Sequence, residues 1–414
     1  AEGWTQFYAL VRVPVDGNRF HLQITGLPHN MSRNVSLYRV DPPPERPYAL
    51  AYQLDISRCK VPRMPELFRI VDILSVLGYN QFQLYMECAF AYEKHKKTWE
   101  GRSPMTAAEI RALADYCTQK EIDLVPSQNS FAHMGPWMKI PEYRKLAECP
   151  NGVDIPKPRK KRGPVTLCAT SGESFKFLEG LYDELLPNFK SKYFNVGCDE
   201  VLDILDPKCR SAAKMAEEGY ARVYFDYVTN VRRLVVARGK TTMFWGDAVF
   251  KYPELLREIP RNMIVLAYGY DEGMDGFDEK CAALEKEGVR YYVCPGTSGW
   301  CGPSGRVKNM LGNVKEAYEA GARHGAEGMM VCDWGDGGHH QPWIVALPSL
   351  IYAASLVKGE TLSRDALAAK IDELTGAKCG LALLAYGDFY LATGAPKDYG
   401  RLMFNMLSDR HAES

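Results

Sequence analysis

Asp199 and Glu200 stand side by side just after Tyr193-Phe194-Asn195-Val196-Gly197-Cys198. The front of that stretch is apolar, with aromatic and β-branched residues, and suits a buried strand. Gly197 lets the backbone bend or come close to a ligand. Adjacent carboxylates repel, so burying both raises at least one pKa. A strand that ends in such a pair has the makings of an acid/base site. An isolated Asp-Glu is more simply an exposed acidic turn, so the company the pair keeps decides between the two.

The elements around the pair alternate. Strands are expected at Ala51–Ile56, Asn80–Tyr85, Ile122–Ser127, Tyr193–Val196, Thr242–Trp245, Met263–Tyr268, Arg290–Val293 and Gly328–Cys332. Between them the period of apolar residues turns helical. Leu67, Ile70, Val71, Leu74 and Leu77 share one face, and further helices are expected at Ser171–Leu186, Tyr220–Arg238, Phe277–Glu287, Asn309–His324 and Pro342–Val357. Thr106 and Glu109 have the spacing of a capping box. Gly78, Gly239, Gly288 and Gly325 stop helices just ahead of strands, where a left-handed cap costs glycine little. Eight strands joined by helices predict a parallel sheet, and eight such units predict a (β/α)8 TIM barrel, an α/β fold with its site at the C-terminal strand ends. A doubly wound open sheet is the competitor, but no Gly-x-Gly-x-x-Gly loop follows the first strand.

Residues 1–48 read as a small β appendage, with strands at Phe7–Val13 and Arg19–Thr25 and a Pro-rich linker at Asp41–Pro47. The barrel takes 49–358, and 359–414 form a C-terminal helical extension that includes Leu367–Leu374. The basic run Lys157–Arg162 reads as a solvated loop, with an anionic glycan as its outside partner. The Gly-rich stretch Gly296–Gly305, with Trp300, reads as a lid or a long loop.

Composition narrows the class. Of 414 residues, 51 are basic and 51 acidic, so net charge gives no argument for nucleic acid or a membrane surface. No apolar run is long enough to span a bilayer. The 12 cysteines are scattered without a Cys-x-x-Cys pair, which argues against a zinc cluster or a redox dithiol and leans towards a reducing compartment. Two glycosylation-type triplets, at Asn30 and Asn34, and the first residue Ala1 lean towards export. Cytoplasmic and exported locations both stay open, as does the oligomeric state.

The strand ends collect Asp55, Arg58, Glu87, Gln128, His133, Asp199, Glu200, Trp245, Asp247, Tyr268, Tyr270, Trp334 and Asp336. Carboxylates, one Arg, one His and several aromatics suit a sugar pocket: the rings cover a pyranose face and the charged groups bind hydroxyls in pairs. Tyr291 and Tyr292 face opposite sides of their strand, so at most one enters the pocket. A double-displacement glycosidase needs two carboxyls about 5 Å apart across the scissile bond. Chain neighbours rarely achieve that. Glu200 as acid with Asp199 as helper fits better, and the substrate itself can then supply the nucleophile. Two rivals belong to other classes. One is a non-catalytic glycan-binding barrel. The other is a metal-dependent amino-sugar deacetylase using Asp336, His339 and His340.

These residues resemble glycoside hydrolase family 20, the β-N-acetylhexosaminidases, over roughly 50–355. Val196-Gly197-Cys198-Asp199-Glu200-Val201 is similar to the family's Gly-x-Asp-Glu motif and closest to its hexosaminidase D-like members. Leu54–Arg58 resembles the strand-one motif whose Arg holds sugar hydroxyls. Gln128 through Met134 resembles the strand-three motif ending in a His, and Trp334-Gly335-Asp336 the Trp-x-acid motif of strand eight. The resemblance implies exo-acting, retaining removal of terminal β-linked GlcNAc or GalNAc from glycans, with no cofactor and no metal. It implies Glu200 as acid/base and Asp199 as the residue that orients the 2-acetamido group, whose carbonyl oxygen attacks C1 to give an oxazolinium intermediate. Arg58, Glu87, His133, Trp245, Tyr268, Tyr292, Trp334 and Asp336 would bind the sugar. The family often has Tyr-x-Asp on strand seven, where this chain has Tyr292-Val293-Cys294. Tyr292 then stands ahead of Tyr268 as the group that steadies the acetamido oxygen.

Overall fold

A computed structural model describes residues 48–155 and 160–393. Eight parallel strands close into a barrel: β1 Ala49–Asp55, β2 Gln81–Met86, β3 Asp123–Gln128, β4 Tyr193–Asn195, β5 Thr241–Trp245, β6 Met263–Tyr268, β7 Arg290–Cys294 and β8 Gly328–Asp333. Each pairs with its neighbours in chain order, and β8 pairs back onto β1 from Ala49↔Gly328 to Leu54↔Asp333. This is the expected (β/α)8 fold. Closure leaves no open edge, and all eight strand C-termini gather at one mouth.

The period of two sorts the strands. Leu50, Tyr52, Leu54, Phe82, Leu84, Phe244 and Val265 face the helices. Ala51, Tyr85, Val125, Met243, Trp245, Leu266, Met330 and Trp334 fill the interior. Part of the interior is polar. Gln83 Nε2 donates to Gln81 Oε1 at 3.3 Å, and Asn195 Nδ2 donates to Gln83 Oε1 at 3.2 Å.

The outer ring is α1 Met64–Leu77, α2 Ala107–Gln119, α3 Gly172–Leu185, α4 Ala212–Val236, α5 Asp247–Lys251, α6 Phe277–Lys286, α7 Val307–His324 and α8 Leu347–Val357. Thr106 and Glu109 form the capping box at α2, worth about 1 kcal/mol. Gly78 and Gly325 close α1 and α7 in the left-handed conformation. Helix α4 begins eight residues before the expected Tyr220, because a helical stretch precedes the break at Gly219 (φ 79°, ψ 167°). Beyond the barrel, α9 Arg364–Thr375 packs on α8, and α10 Gly380–Gly387 packs on α9 and α7.

The expected N-terminal strands and Pro-rich linker lie outside the described residues, as does the chain after 393. Part of the expected basic loop is ordered differently: Lys160–Arg162 pairs antiparallel with Val153–Ile155 as a short hairpin. No helix among the described residues is long and apolar enough to cross a membrane.

Candidate active site

The turn after β4 is pinned on every side. Val196 N donates to Met243 O at 2.9 Å and Trp245 N to Gly197 O at 3.0 Å. Gly197 N donates to Asn195 Oδ1 at 3.0 Å, and Tyr224 of α4 donates its hydroxyl to Cys198 O at 3.0 Å. Gly197, Cys198 and Glu200 all take positive φ, of 68°, 68° and 50°. A non-glycine residue there is strained, and such strain persists where the surroundings over-determine it.

The turn separates the two acids. The Asp199 side chain is 13% exposed and that of Glu200 is 54% exposed. His133, itself at φ 59°, reaches between them, with Nε2 3.2 Å from Asp199 Oδ2 and 3.6 Å from Glu200 Oε2. Burial alone would lower the imidazole pKa, but the Asp199 carboxylate outweighs it and holds His133 up at about 9. A cation between neighbouring carboxylates is one way to keep both at a strand end. The Asp247 carboxyl, two residues past β5, is pushed up to about 7, first by burial and then by Asp199. The sequence placed Asp247 at a strand end without giving it a role.

Across the mouth, Arg58 gathers the other acids. Its guanidinium lies 2.6 Å from Asp55, 3.4 Å from Glu87 and 3.4 Å from Asp336. It also covers the faces of Tyr85 and Trp334, 4.9 and 5.4 Å from their centroids. Asp55 is fixed in turn, accepting from Ser57 N at 2.8 Å and Gly335 N at 2.9 Å, which ties β1 to the loop after β8. Burial raises the Glu87 and Asp336 carboxyls, against the pull of Arg58. A relay runs beneath: Asn129 Nδ2 donates to Tyr85 Oη at 2.7 Å, and Tyr85 donates to Glu87 Oε1 at 3.0 Å. Gln128 does not face the mouth freely, since its Nε2 donates to Glu87 O at 3.0 Å and its Oε1 accepts from Tyr92 at 2.9 Å. Tyr85 and Asn129 were missed from sequence. The parity of Gln81, Gln83, Tyr85 and Glu87 is the signal that could have found the tyrosine.

The aromatic residues divide by height. Trp334 meets Tyr85 edge-on at 4.8 Å and Trp245 at 5.6 Å. Trp245 is only 1% exposed. It forms the floor, beneath Trp334 and Tyr268, and its Nε1 has no hydrogen-bond partner in the protein. Tyr268 stands at the rim, stacked on Tyr270 at 5.5 Å. Tyr292 is not brought to this mouth. It faces the interior, as expected for one of the two tyrosines, but its hydroxyl meets Gln81 at the start of β2, and its charged neighbours Glu327 and Arg290 lie at strand N-termini. Tyr291 faces outward and donates to His324 O at 2.9 Å.

The Gly296–Gly305 stretch is tied down. Thr297 N donates to Cys332 O at 2.9 Å, its hydroxyl donates to Asp333 Oδ1 at 2.7 Å, and Trp300 packs edge-on against Tyr270 at 5.1 Å. The two histidines of the deacetylase alternative diverge. His340 Nε2 turns to Gly337 O at 2.9 Å. His339 is buried, and burial, then Lys60, pushes its pKa down to about 4. Among the described residues no group of three His, Cys, Asp or Glu side chains could hold a metal ion.

A family model described as glycosyl hydrolase family 20, catalytic domain, matches residues 51–298. The match runs from β1 past β7, so Trp334 and Asp336 lie beyond it. Hexosaminidase D of Bos taurus is 23% identical over 210 residues, 49% of this chain and 55% of that protein. Lacto-N-biosidase of Bifidobacterium bifidum is 26% identical over 220 residues, 50% of this chain and 18% of that protein. The chain thus spans about half of the first relative and less than a fifth of the second. Among solved structures, the chitobiase of Flavobacterium johnsoniae superposes with a TM-score of 0.60 at 19% identity, covering 82% of this chain and 52% of that one. The exo β-N-acetylglucosaminidase of Vibrio harveyi, in complex with N-acetylglucosamine, gives 0.60 at 14% identity, covering 80% and 59%. At these identities the superpositions establish the fold.

Proposed function

The chain belongs to glycosyl hydrolase family 20, and on that premise we propose that it is an exo-acting, retaining β-N-acetylhexosaminidase that removes terminal β-linked GlcNAc or GalNAc from glycans. Two of the relatives above are named as a hexosaminidase and as an exo β-N-acetylglucosaminidase. One observation carries the reading. The Asp199 Oδ1 atom is buried and lacks any protein partner, while Glu200 beside it reaches solvent. A buried, unpartnered carboxylate oxygen calls for a donor, and the N–H of a 2-acetamido group is such a donor.

The carboxylates facing this pair are engaged. Asp55, Glu87 and Asp336 all lie against Arg58, so among the described residues the carboxylates across the mouth from the pair are already ion-paired, which speaks against a double displacement. The nucleophile in this reading is the substrate's own acetamido oxygen. It attacks C1 as the bond from C1 to the leaving oxygen breaks. Glu200 gives that oxygen its proton. Asp199 accepts from the acetamido N–H and supports the positive charge that develops there. Glu200 then takes a proton from water, which opens the oxazolinium ring at C1 with net retention.

Arg58 and Asp336 hold hydroxyls of the terminal sugar, Trp334 covers its face, and Trp245 closes the floor. His133 and Glu87 support the acid pair electrostatically. Tyr268, at the rim beside Asp247, takes the part of steadying the acetamido oxygen in place of Tyr292.

The test uses matched aryl glycosides that differ only at C2. The 2-acetamido sugar should turn over, and the 2-hydroxy sugar should bind weakly and react very slowly. Glu200→Gln should lose most turnover of poor leaving groups and keep ligand binding. Efficient hydrolysis of the 2-hydroxy glucoside, or a glycosyl group trapped on Asp199 or Glu200, overturns the substrate-assisted reading.

A further inference from the structure

Glu200 has a demanding geometry for an acid/base. Its side chain is 54% exposed and its backbone sits at φ 50°, where a residue with a Cβ is strained. Packing holds so exposed a side chain weakly, and besides His133 Nε2 at 3.6 Å its aim rests on the backbone. The carbonyl side of the turn is closed locally, since Leu202 N donates to Glu200 O at 2.8 Å. The amide side is closed from another strand: Glu200 N donates to Asp247 Oδ2 at 3.1 Å.

Asp247 is well placed to hold it. It opens α5 directly after Trp245 and Gly246. Gly246 N donates to Leu266 O at 3.0 Å. A Cβ on Gly246 would meet Phe250 at 2.6 Å and Val265 at 2.8 Å, so the strand-to-helix turn has no slack. The second carboxylate oxygen, Oδ1, is buried without a protein partner. The side chain borders a cavity of about 340 Å³ that Phe250, Tyr268 and Tyr270 also line.

We propose that Asp247 is a positioning residue for the acid/base: by accepting the Glu200 amide hydrogen it sets the left-handed turn that aims the Glu200 carboxyl at the glycosidic oxygen. The proposal rests on the assignment of Glu200 made above. A carboxyl accepts an N–H whether or not it carries a proton, so the bond survives titration of Asp247. Its pKa is raised to about 7, first by burial and then by Asp199, so the bond to the Glu200 amide holds on both sides of neutrality.

The experiment compares Asp247→Ala, Asp247→Asn, Glu200→Gln and the double variant Glu200→Gln/Asp247→Ala. Substrates are 2-acetamido glycosides with a good (nitrophenyl) and a poor (alkyl) leaving group. Misaiming a catalytic group by about 1 Å costs about 100-fold. Asp247→Ala should therefore lower kcat on the poor leaving group by about that factor, with KM nearly unchanged and a much smaller loss on the good one. Asp247→Asn keeps a carbonyl acceptor and should recover most of the loss. In the Glu200→Gln background Asp247→Ala should cost almost nothing further, because residues that act as one unit are non-additive. Three results overturn the proposal: a rise in KM with unchanged kcat, equal losses on both leaving groups, or full additivity with Glu200→Gln. An Asp247→Asn as damaged as Asp247→Ala assigns the effect to charge and also refutes it. If Asp247→Ala does not fold, Asp247→Ser makes the same comparison. Wild-type turnover by Glu200→Gln brings down the acid/base assignment and this proposal together. Loss in Glu200→Gln with none in Asp247→Ala brings down this proposal alone.

Discussion

Gly197→Ala should damage stability and turnover together, and the structure gives the size of each effect. Gly197 stands at φ 68°, where an alanine costs about 1–2 kcal/mol. There is also no room. The new Cβ would lie 1.9 Å from Asn129 Oδ1 and 2.9 Å from Asn129 Cγ. Overpacking of this kind costs about 1–3 kcal/mol. Moving Asn129 aside breaks its 2.7 Å bond to Tyr85, about 1 kcal/mol more. The sum is about 3–6 kcal/mol of unfolding free energy, read by equilibrium denaturation.

The loss of turnover follows from the same displacement. Tyr85 is the donor to Glu87, and Asp199 lies two residues beyond Gly197, so a shift of about 1 Å at either should cost about 100-fold in kcat. Asn129→Ala removes the two closest atoms and leaves the backbone strain. The pair Gly197→Ala/Asn129→Ala should therefore be less destabilised than the two single losses added. Gly180→Ala is the control. Gly180 lies within α3 with nothing near its missing Cβ, so alanine there should stabilise by about 1 kcal/mol. A Gly197→Ala protein within 1 kcal/mol of wild type and within threefold in kcat, or strict additivity with Asn129→Ala, refutes the account.

Two further predictions concern charge. Arg58→Lys should lower kcat/KM by about 10–100-fold, mainly through KM, because an ammonium cannot span Asp55, Glu87, Asp336 and a sugar hydroxyl as the planar fork does; an unchanged value across a panel of C4 epimers returns Arg58 to a structural part. His133 has a folded pKa raised to about 9 by Asp199 against its burial, so the stability it contributes is full below about 6.5, its unfolded value, and is lost as pH rises through 9. Unfolding free energy should fall by at most about 3 kcal/mol over that window, and His133→Gln should flatten the fall; an equally steep curve in the variant refutes the ion pair.

The barrel was legible because its phrase repeats: an amphipathic helix, a glycine, then an apolar strand. The ends of the elements were less so. β1 starts at Ala49 rather than Ala51, since pairing with Gly328 decides it and alanine carries little strand preference of its own. The crossover after β5 is made of the five-residue α5 and a 3-10 turn at Pro253–Glu258, both too short to show a helical period. Lys160–Arg162 has no apolar alternation, and its strand exists only because Val153–Ile155 lies alongside.

At the site, sequence gave the face of each residue but not its height. Strand ends converge in any such barrel, so Arg58, Glu87, His133, Asp199, Glu200 and Asp336 could be gathered from their positions after apolar runs. Height depends on register. Tyr292 has the inward parity of a pocket residue, yet it pairs with Gly328, the first residue of β8. The mouth residues Trp334 and Asp336 lie at least six positions further along that chain. A tyrosine so far down sends its hydroxyl to Gln81 and not to a ligand. Tyr268 is the last residue of β6, level with Cys294 at the end of β7, and meets Trp245 at 5.6 Å. Register also explains Asp247. One strand over from β4, it comes level with Glu200 because Asn195 pairs with Met243, and from there its carboxylate meets the Glu200 amide. No local motif spells out that contact, which joins residues 47 positions apart.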